Sequence, residues 1–265
     1  MRDNALNKVW VGVRASRIGR WTARSDGTAA MEFALLVPFM VYMFLCATDI
    51  ARALTVARRL TNAADTIAQL VSQSSNSSSS CLSTNGAVGN VKGSVADCDV
   101  DTAFRSIITT FPDVLNDANG RGTSWFNIIQ PIVSSVTFGP ASTCTSSSPL
   151  TAVCTTATVN WSAGYNTSNL PPFYRTCTTL TSVPDTNPPS LTTLPATFFT
   201  TGGAPGYSGS LIVADVIYQY QPLFTSWIVG KITFQRTAYL SPRFFTQLTY
   251  SGKAGSVDSS ISGCP

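Results

Sequence analysis

The sequence predicts an α+β protein: a long N-terminal helix, membrane-spanning in its first half and amphipathic in its second, packed on an antiparallel β-sheet head with disulfides. Three observations carry this. A continuous apolar run, residues 28–48, holds one charged side chain in 21 residues. An apolar stripe at steps of three and four follows it without a break. Beyond residue 80 the chain is rich in Ser, Thr, Gly and Pro, and its apolar residues alternate.

Residues 1–27 read as a basic leader. They carry Arg2, Lys8, Arg14, Arg17, Arg20 and Arg24 against Asp3 and Asp26, while Arg52, Arg58 and Arg59 follow the apolar run. The excess of cations ahead of the run favours an N-terminus in the cytoplasm and a head outside. At about 1.5 Å rise per residue, a helix over 28–48 crosses a hydrocarbon core of about 30 Å. Pro38 falls inside it, where it should kink the helix or loosen a turn. Glu32 is the one glutamate of the chain and sits four residues into the run. A carboxylate at that depth is costly unless it snorkels to headgroups or meets a partner, so Glu32 is a candidate functional residue. The bland alternative is a plain anchor that tolerates one acid near its end.

Ile50, Leu54, Ala57, Leu60, Ala64, Ile67 and Val71 form the stripe, and neither proline nor glycine interrupts residues 50–73. The span and the stripe therefore read as one spine helix over 28–73. Residues 74–80, almost all serine, form a joint. The head is 81–265. Asp101 is placed to cap a short helix over about 102–110, stopped ahead of Pro112. Four strand faces follow: Ile132, Val136 and Phe138; Val153, Ala157, Val159 and Trp161; Ile212, Ala214, Val216, Tyr218 and Tyr220; Ile232, Phe234, Ala238 and Leu240. Each needs a cover, and the stripe on the spine helix supplies one. The proline-rich stretch 166–209 reads as a long excursion held in part by Cys177.

Cys46 lies in the apolar run, and Cys81, Cys98, Cys144, Cys154, Cys177 and Cys264 all follow it. An even number on the outer side reads as a disulfide framework. Six cysteines allow fifteen pairings, and loop closure favours the near-sequential set Cys81–Cys98, Cys144–Cys154 and Cys177–Cys264. Zinc is disfavoured because there is no histidine and no Cys-x-x-Cys spacing. From Thr28 onward eleven basic residues face eleven acidic ones, which gives no basic face for nucleic acid.

The absence of histidine and of a Gly-x-Ser-x-Gly elbow argues against an enzyme, leaving only acidic dyads among Asp97, Asp99, Asp101, Asp113 and Asp117. The alternation Asp97, Asp99, Asp101 has a calcium-like spacing but lacks the glycine and distal glutamate of an EF-hand, and reads as a solvated acidic turn. No metal or cofactor is expected. Trp161, Tyr218, Tyr220, Phe224 and Trp227 form either a ligand patch or, as strand alternation favours, mostly core.

Gly27-Thr-Ala-Ala-Met-Glu-Phe-Ala-Leu-Leu-Val-Pro38, then Asp49-Ile-Ala-Arg52 and the Ala-rich helix from Arg59 to Gln73, resemble the TadE-like family of the tight-adherence pilus system. The resemblance covers less than a fifth of the chain, with a weaker likeness over Leu211 to Phe224 and Thr237 to Arg243. It implies a minor pilin or pseudopilin of a bacterial surface-fibre and secretion machine. It also implies a single-pass protein of the bacterial cytoplasmic membrane, with its head in the periplasm or on the cell surface. Carried over, Gly27 is the last leader residue, Thr28 the new N-terminus after a prepilin peptidase has cut, and Glu32 the acid that pairs with a neighbouring subunit's terminal amine. Pro38 and Arg52 complete the assembly residues. Implied partners are other pilin-like subunits through the N-terminal helix, the peptidase and the pilus assembly platform. The position after the glycine is threonine rather than the Phe or Met of many pilins. The alternative is an uncleaved anchored adhesin or envelope protein that displays a β-rich binding head.

Overall fold

The computed structural model describes residues 26–74, 92–95, 97–141, 155–165, 170, 172–188, 190–201, 204–205, 209–250 and 261–264. Most of the leader and the serine joint beyond residue 74 lie outside them. The apolar run and the stripe form one helix, α1, Asp26–Ser72, which continues through Pro38. Lipid-like composition supports its first half and packing its second, because an isolated amphipathic helix gains most of its stability from the face that it buries.

That buried face is rotated from the expected stripe. Ile50 and Leu54 are exposed, whereas Asp49, Val56, Leu60, Ala63, Ala64, Ile67, Ala68 and Val71 are buried. Only from Leu60 onward do stripe and face coincide. Counting aliphatic residues alone misplaces the start, because the helix is held there by an aspartate.

The head supplies β1 (Lys92–Val95), helices α2 (Asp97–Arg105), α3 (Ile107–Thr110) and α4 (Asp113–Gly120), then β2 (Ile129–Pro140) and β3 (Thr155–Tyr165). The excursion contributes β4 (Thr179–Val183), β5 (Thr193–Pro195), β6 (Thr200–Thr201) and β7 (Ala204–Pro205). Strand β8 (Ser210–Tyr220), the one-turn helix α5 (Ser226–Val229), β9 (Ile232–Leu240), β10 (Gln247–Tyr250) and β11 (Ile261–Cys264) complete it. The main sheet has the order β5-β4-β3-β2-β8-β9, with β11 on the same edge of β3 as β4. The expectation of a purely antiparallel sheet is corrected: β4 and β5 pair in parallel, so the main sheet is mixed, and β1 and β10 form a separate parallel pair. The expected capped helix is corrected as well. It starts earlier, at Asp97, and Asp101 sits inside it, where its carboxylate accepts from Arg105 Nε (2.7 Å) and the Tyr165 hydroxyl (2.6 Å).

The four strand faces do not share one side. In β8, Ile212, Ala214, Val216, Tyr218 and Tyr220 join the core under α1, as do Ile232, Phe234, Ala238 and Leu240 of β9. Val136 belongs instead to a second core with Ala157, Val159, Leu211 and Val213. In β3 the face is split. Ser135 pairs with Trp161 but Val136 with Val159, so Asn160 is the extra residue of a bulge. One inserted residue reverses the alternation, which sends Ala157 and Val159 to the second core and Trp161 to the first.

The excursion covers the second core, with Leu180, Leu194 and Phe199 packed on it. Its anchor is Arg175, completely buried, whose guanidinium donates to both carboxylate oxygens of the equally buried Asp215 at 2.7 and 2.9 Å. Arg175 Nη1 also reaches the carbonyl of Leu191 at 3.0 Å, and the Thr237 hydroxyl donates to Asp215 at 2.6 Å. The Arg175 amide donates to Ser162 Oγ, itself 2.8 Å from Ser134 Oγ in the opposite register position. At Gly164 any Cβ would overlap the Phe173 carbonyl, so glycine is what lets the excursion lie flat on β3.

Removing one partner of such a pair strands the other without water. Arg175→Leu should destabilise the head by about 3–5 kcal/mol, whereas Arg175→Met combined with Asp215→Leu should recover most of that loss. Urea unfolding of the full chain in mild detergent measures both. A single variant as stable as the parent would remove Arg175 from the role of anchor.

Candidate functional site

Asp49 follows the apolar run directly and is 4% exposed. On the helix it lies in phase with Ala53, Val56 and Leu60, so the turn that buries those residues aims its carboxylate at the head. There it meets the loop between β8 and β9. The amides of Leu223, Phe224 and Thr225 donate to it at 3.2, 3.0 and 2.9 Å, and the Thr225 hydroxyl at 2.9 Å. The Tyr220 hydroxyl adds a bond to the Asp49 backbone carbonyl at 3.3 Å. Consecutive amides turned toward one point make an anion-binding concavity. Loss of water pushes the Asp49 carboxyl upward, but the bonds from Thr225, Phe224 and Leu223 outweigh this and hold it below the usual carboxylate range.

Beside this clamp lies a cleft of about 570 Å³, lined among others by Arg52, Asp113, Asp117, Arg121 and Tyr218. Both of its aspartates are paired. Arg121 forks onto Asp117 at 2.9 and 2.6 Å and reaches the Gln219 carbonyl, while Arg59 pairs with Asp113. Tyr218 donates to Asp117 at 2.5 Å, and burial together with that bond raises its pKa above the ordinary tyrosine value. Such a wall is a joint between α1, α4 and β8. On the other side of the clamp is an apolar groove of about 270 Å³, between Tyr42, Cys46 and Ile50 of α1 and Pro222, Ile228 and Val229 of the loop.

The residues expected to act in processing and assembly are spread along α1. Gly27 and Thr28 lie in its first turn, and the side chain of Thr28 is outside the described residues. Glu32 and Pro38 are exposed on the bare half. Arg52 lies about 30 Å from Glu32 along the helix axis, at the cleft, and is not brought near it. Cys46 is a free thiol at the groove. Cys177 is half-buried, with its sulfur 3.9 Å from the Asn160 carbonyl oxygen. The side chains of Cys81, Cys98, Cys144, Cys154 and Cys264 fall outside the described residues, and the expected pairings with them. The calcium-like spacing does not hold together at Asp101, whose carboxylate is taken by Arg105 and Tyr165. The aromatic group divides: Trp161, Tyr218 and Tyr220 are core, in line with the expectation that most would be, whereas Phe224 and Trp227 are exposed.

Asp49 itself carries no expected role beyond its place in a motif. Its signal is a lone acid in phase with the buried face at the end of an apolar run. Arg175 and Asp215, 40 residues apart, leave no such trace.

Residues 27–69 match the family model of TadE-like protein. The match takes in Gly27, Glu32, Pro38, Asp49 and Arg52, and ends before the head. No curated protein and no solved structure matches the chain.

Asp49→Ala should release the loop from α1, with faster hydrogen exchange at the amides of residues 223–225 and a loss of about 2 kcal/mol or more. The pH dependence follows from the lowered pKa. A carboxylate held low in the folded state contributes stability above its unfolded value of about 3.9 and loses it as pH falls toward the folded value. Exchange at these amides should therefore stay slow from neutral pH down to about pH 4 and rise, beyond the intrinsic pH trend, only below it. Release between pH 5 and 7 would contradict the clamp.

Proposed function

We propose that this chain is a minor pilin- or pseudopilin-like structural subunit of a tight-adherence pilus assembly or secretion machine, one that supports fibre biogenesis and surface adhesion and performs no catalysis. The observation that carries the reading is the coincidence of the TadE-like match with a helix whose first half is bare. Met31, Phe33, Leu35, Leu36, Phe39, Met40, Val41, Tyr42, Met43 and Phe44 are all exposed. Such a surface belongs in lipid or against other apolar helices. The same helix then carries the head, as a fibre subunit requires.

In this reading the protein is single-pass in the bacterial cytoplasmic membrane, with the leader inside and a disulfide-bonded head outside. A prepilin peptidase cuts after Gly27, where the absence of a side chain admits the backbone to the catalytic groups. The amine of Thr28 then pairs with Glu32 of a neighbouring subunit. Both groups lack water in an apolar bundle, and pairing offsets much of that cost while setting the axial register. Removal of the six leader cations frees the helix to leave the bilayer for a fibre built on the assembly platform.

Glu32→Leu makes the span more apolar and should preserve insertion, yet abolish pilus production and adhesion, because the partner amine stays buried and unpaired at about 3–5 kcal/mol per contact. Glu32→Asp should give an intermediate defect. Adhesion at the parental level from the leucine variant, at equal protein abundance, would reduce Glu32 to a tolerated interfacial acid.

Replacing Gly27 with a bulky residue should leave the product longer by the leader in the cell envelope, as mass spectrometry of the isolated protein would register. An unchanged mass with the leader present in the parent as well would favour the uncleaved anchored adhesin.

A further inference from the structure

Seven large apolar side chains are exposed in the described part of the head, and five of them, Leu223, Phe224, Trp227, Ile228 and Val229, fall within the β8–β9 loop. Trp227 is 80% exposed. Scattered surface apolar residues are ordinary, but five within seven positions form a patch.

The position of this patch decides what covers it. Asp49 clamps the loop at the head end of the apolar run. From there the loop reaches back along the run, since Ile228 and Val229 line the groove with Tyr42 and Cys46. Tyr42 precedes Asp49 by about 10 Å along the helix axis. If residues 28–48 span a bilayer, Asp49 lies at the headgroup–acyl boundary of the leaflet nearest the head and Tyr42 about 10 Å inside it. Lipid must surround the bare helix at this level, and the loop lies beside it.

Much of the loop's amide backbone is bonded within the protein. A segment in contact with hydrocarbon needs its polar groups bonded internally. The amides of Leu223, Phe224 and Thr225 are taken by Asp49, those of Ile228 and Val229 by the Thr225 carbonyl, and that of Gly230 by Ser226. Gly230, at φ +71°, turns the chain out toward Lys231 and β9. Tryptophan favours the interface, and a lysine stem can lie on apolar surface while its amine stays among headgroups.

We infer that the loop over residues 222–231 is a second membrane contact, which inserts Leu223, Phe224, Trp227, Ile228 and Val229 into the interface of the leaflet that the span leaves. Two contacts, one spanning and one interfacial, orient the head relative to the membrane plane. The clamp at Asp49 then joins them into one rigid unit. The inference rests on the reading of residues 28–48 as a membrane span.

The full chain, reconstituted in phosphatidylcholine vesicles, tests it by tryptophan emission. Trp227 is isolated as the difference between the parent and Trp227→Phe, in which the other four tryptophans cancel. Because the side chain is exposed, this substitution leaves packing intact. The difference emission should be blue-shifted and lost with lipids brominated near the headgroup, less so with lipids brominated near the chain end, and should resist aqueous iodide. Quenching by iodide with no effect of bromine would overturn the inference in favour of a solvated loop. Shielding from both quenchers would overturn it in favour of a protein cover, a second copy included. Phe39→Trp in the Trp227→Phe background reports on the span separately. Deep-bromine quenching at position 39 with none at Trp227 overturns the loop contact alone, whereas no quenching at either position overturns the anchor and the loop contact together.

Discussion

One carboxylate stands where α1 passes from its bare apolar half to the half that packs on the head. Before Asp49, α1 presents apolar side chains outward on all sides; after it, the helix buries one face in a protein core. A helix passing between two such environments needs a fixed point, or its head would swivel about the junction. Asp49 provides it by gathering three successive amides and a hydroxyl from a loop 174 to 176 residues away in sequence. The bond is to backbone as well as side chain, so it fixes the path of the loop and not only a rotamer. Tyr220 reinforces it from β8 through the backbone carbonyl of the same residue.

The rest of the head can be understood from that point outward. Strands β8 and β9 flank the clamped loop and lie closest to α1, and their inward faces meet Leu60, Ala64 and Ile67 in one core. Small residues at 63, 64 and 68 allow close approach of helix and sheet. Helices α2, α3 and α4 fill the same side with Val100, Phe104, Ile107, Phe111 and Val114. The cleft between them is closed electrically by Arg121–Asp117 and Arg59–Asp113, which makes it a joint between elements.

The opposite face of the sheet follows a different rule. Here no long helix is available, and cover comes from a proline-rich excursion with little regular structure. Such a segment brings few apolar side chains, so its position is set by a buried ion pair. Arg175 and Asp215 gain little net stability from meeting, given the desolvation of both, but they allow one docking position and penalise others. The β-bulge at Asn160 belongs to the same arrangement, because it turns Ala157 and Val159 toward the excursion and leaves Trp161 to pack under α1.

How much of this was legible depends on how local the cause is. The α+β class, the apolar run over 28–48, the continuous helix and the four longest strands follow from period and composition, which neighbouring residues determine among themselves. The TadE-like block was also legible, since it is a contiguous motif. Facing was not. A stripe read from aliphatic residues alone began at Ile50, because nothing local reveals that Asp49 will find amides near residue 224. Alternation holds only while register does, and a single bulge, visible only as register between β2 and β3, divides one strand face. The Arg175–Asp215 pair and the exposure of Phe224 and Trp227 are likewise properties of the assembled chain. Sequence by itself determined the long helix with its apolar first half and the four longest strands, through short-range sterics and solvent preference. Only the tertiary structure decided which side each one turns and what holds the head to the helix, because those are set by contacts between residues far apart in the chain.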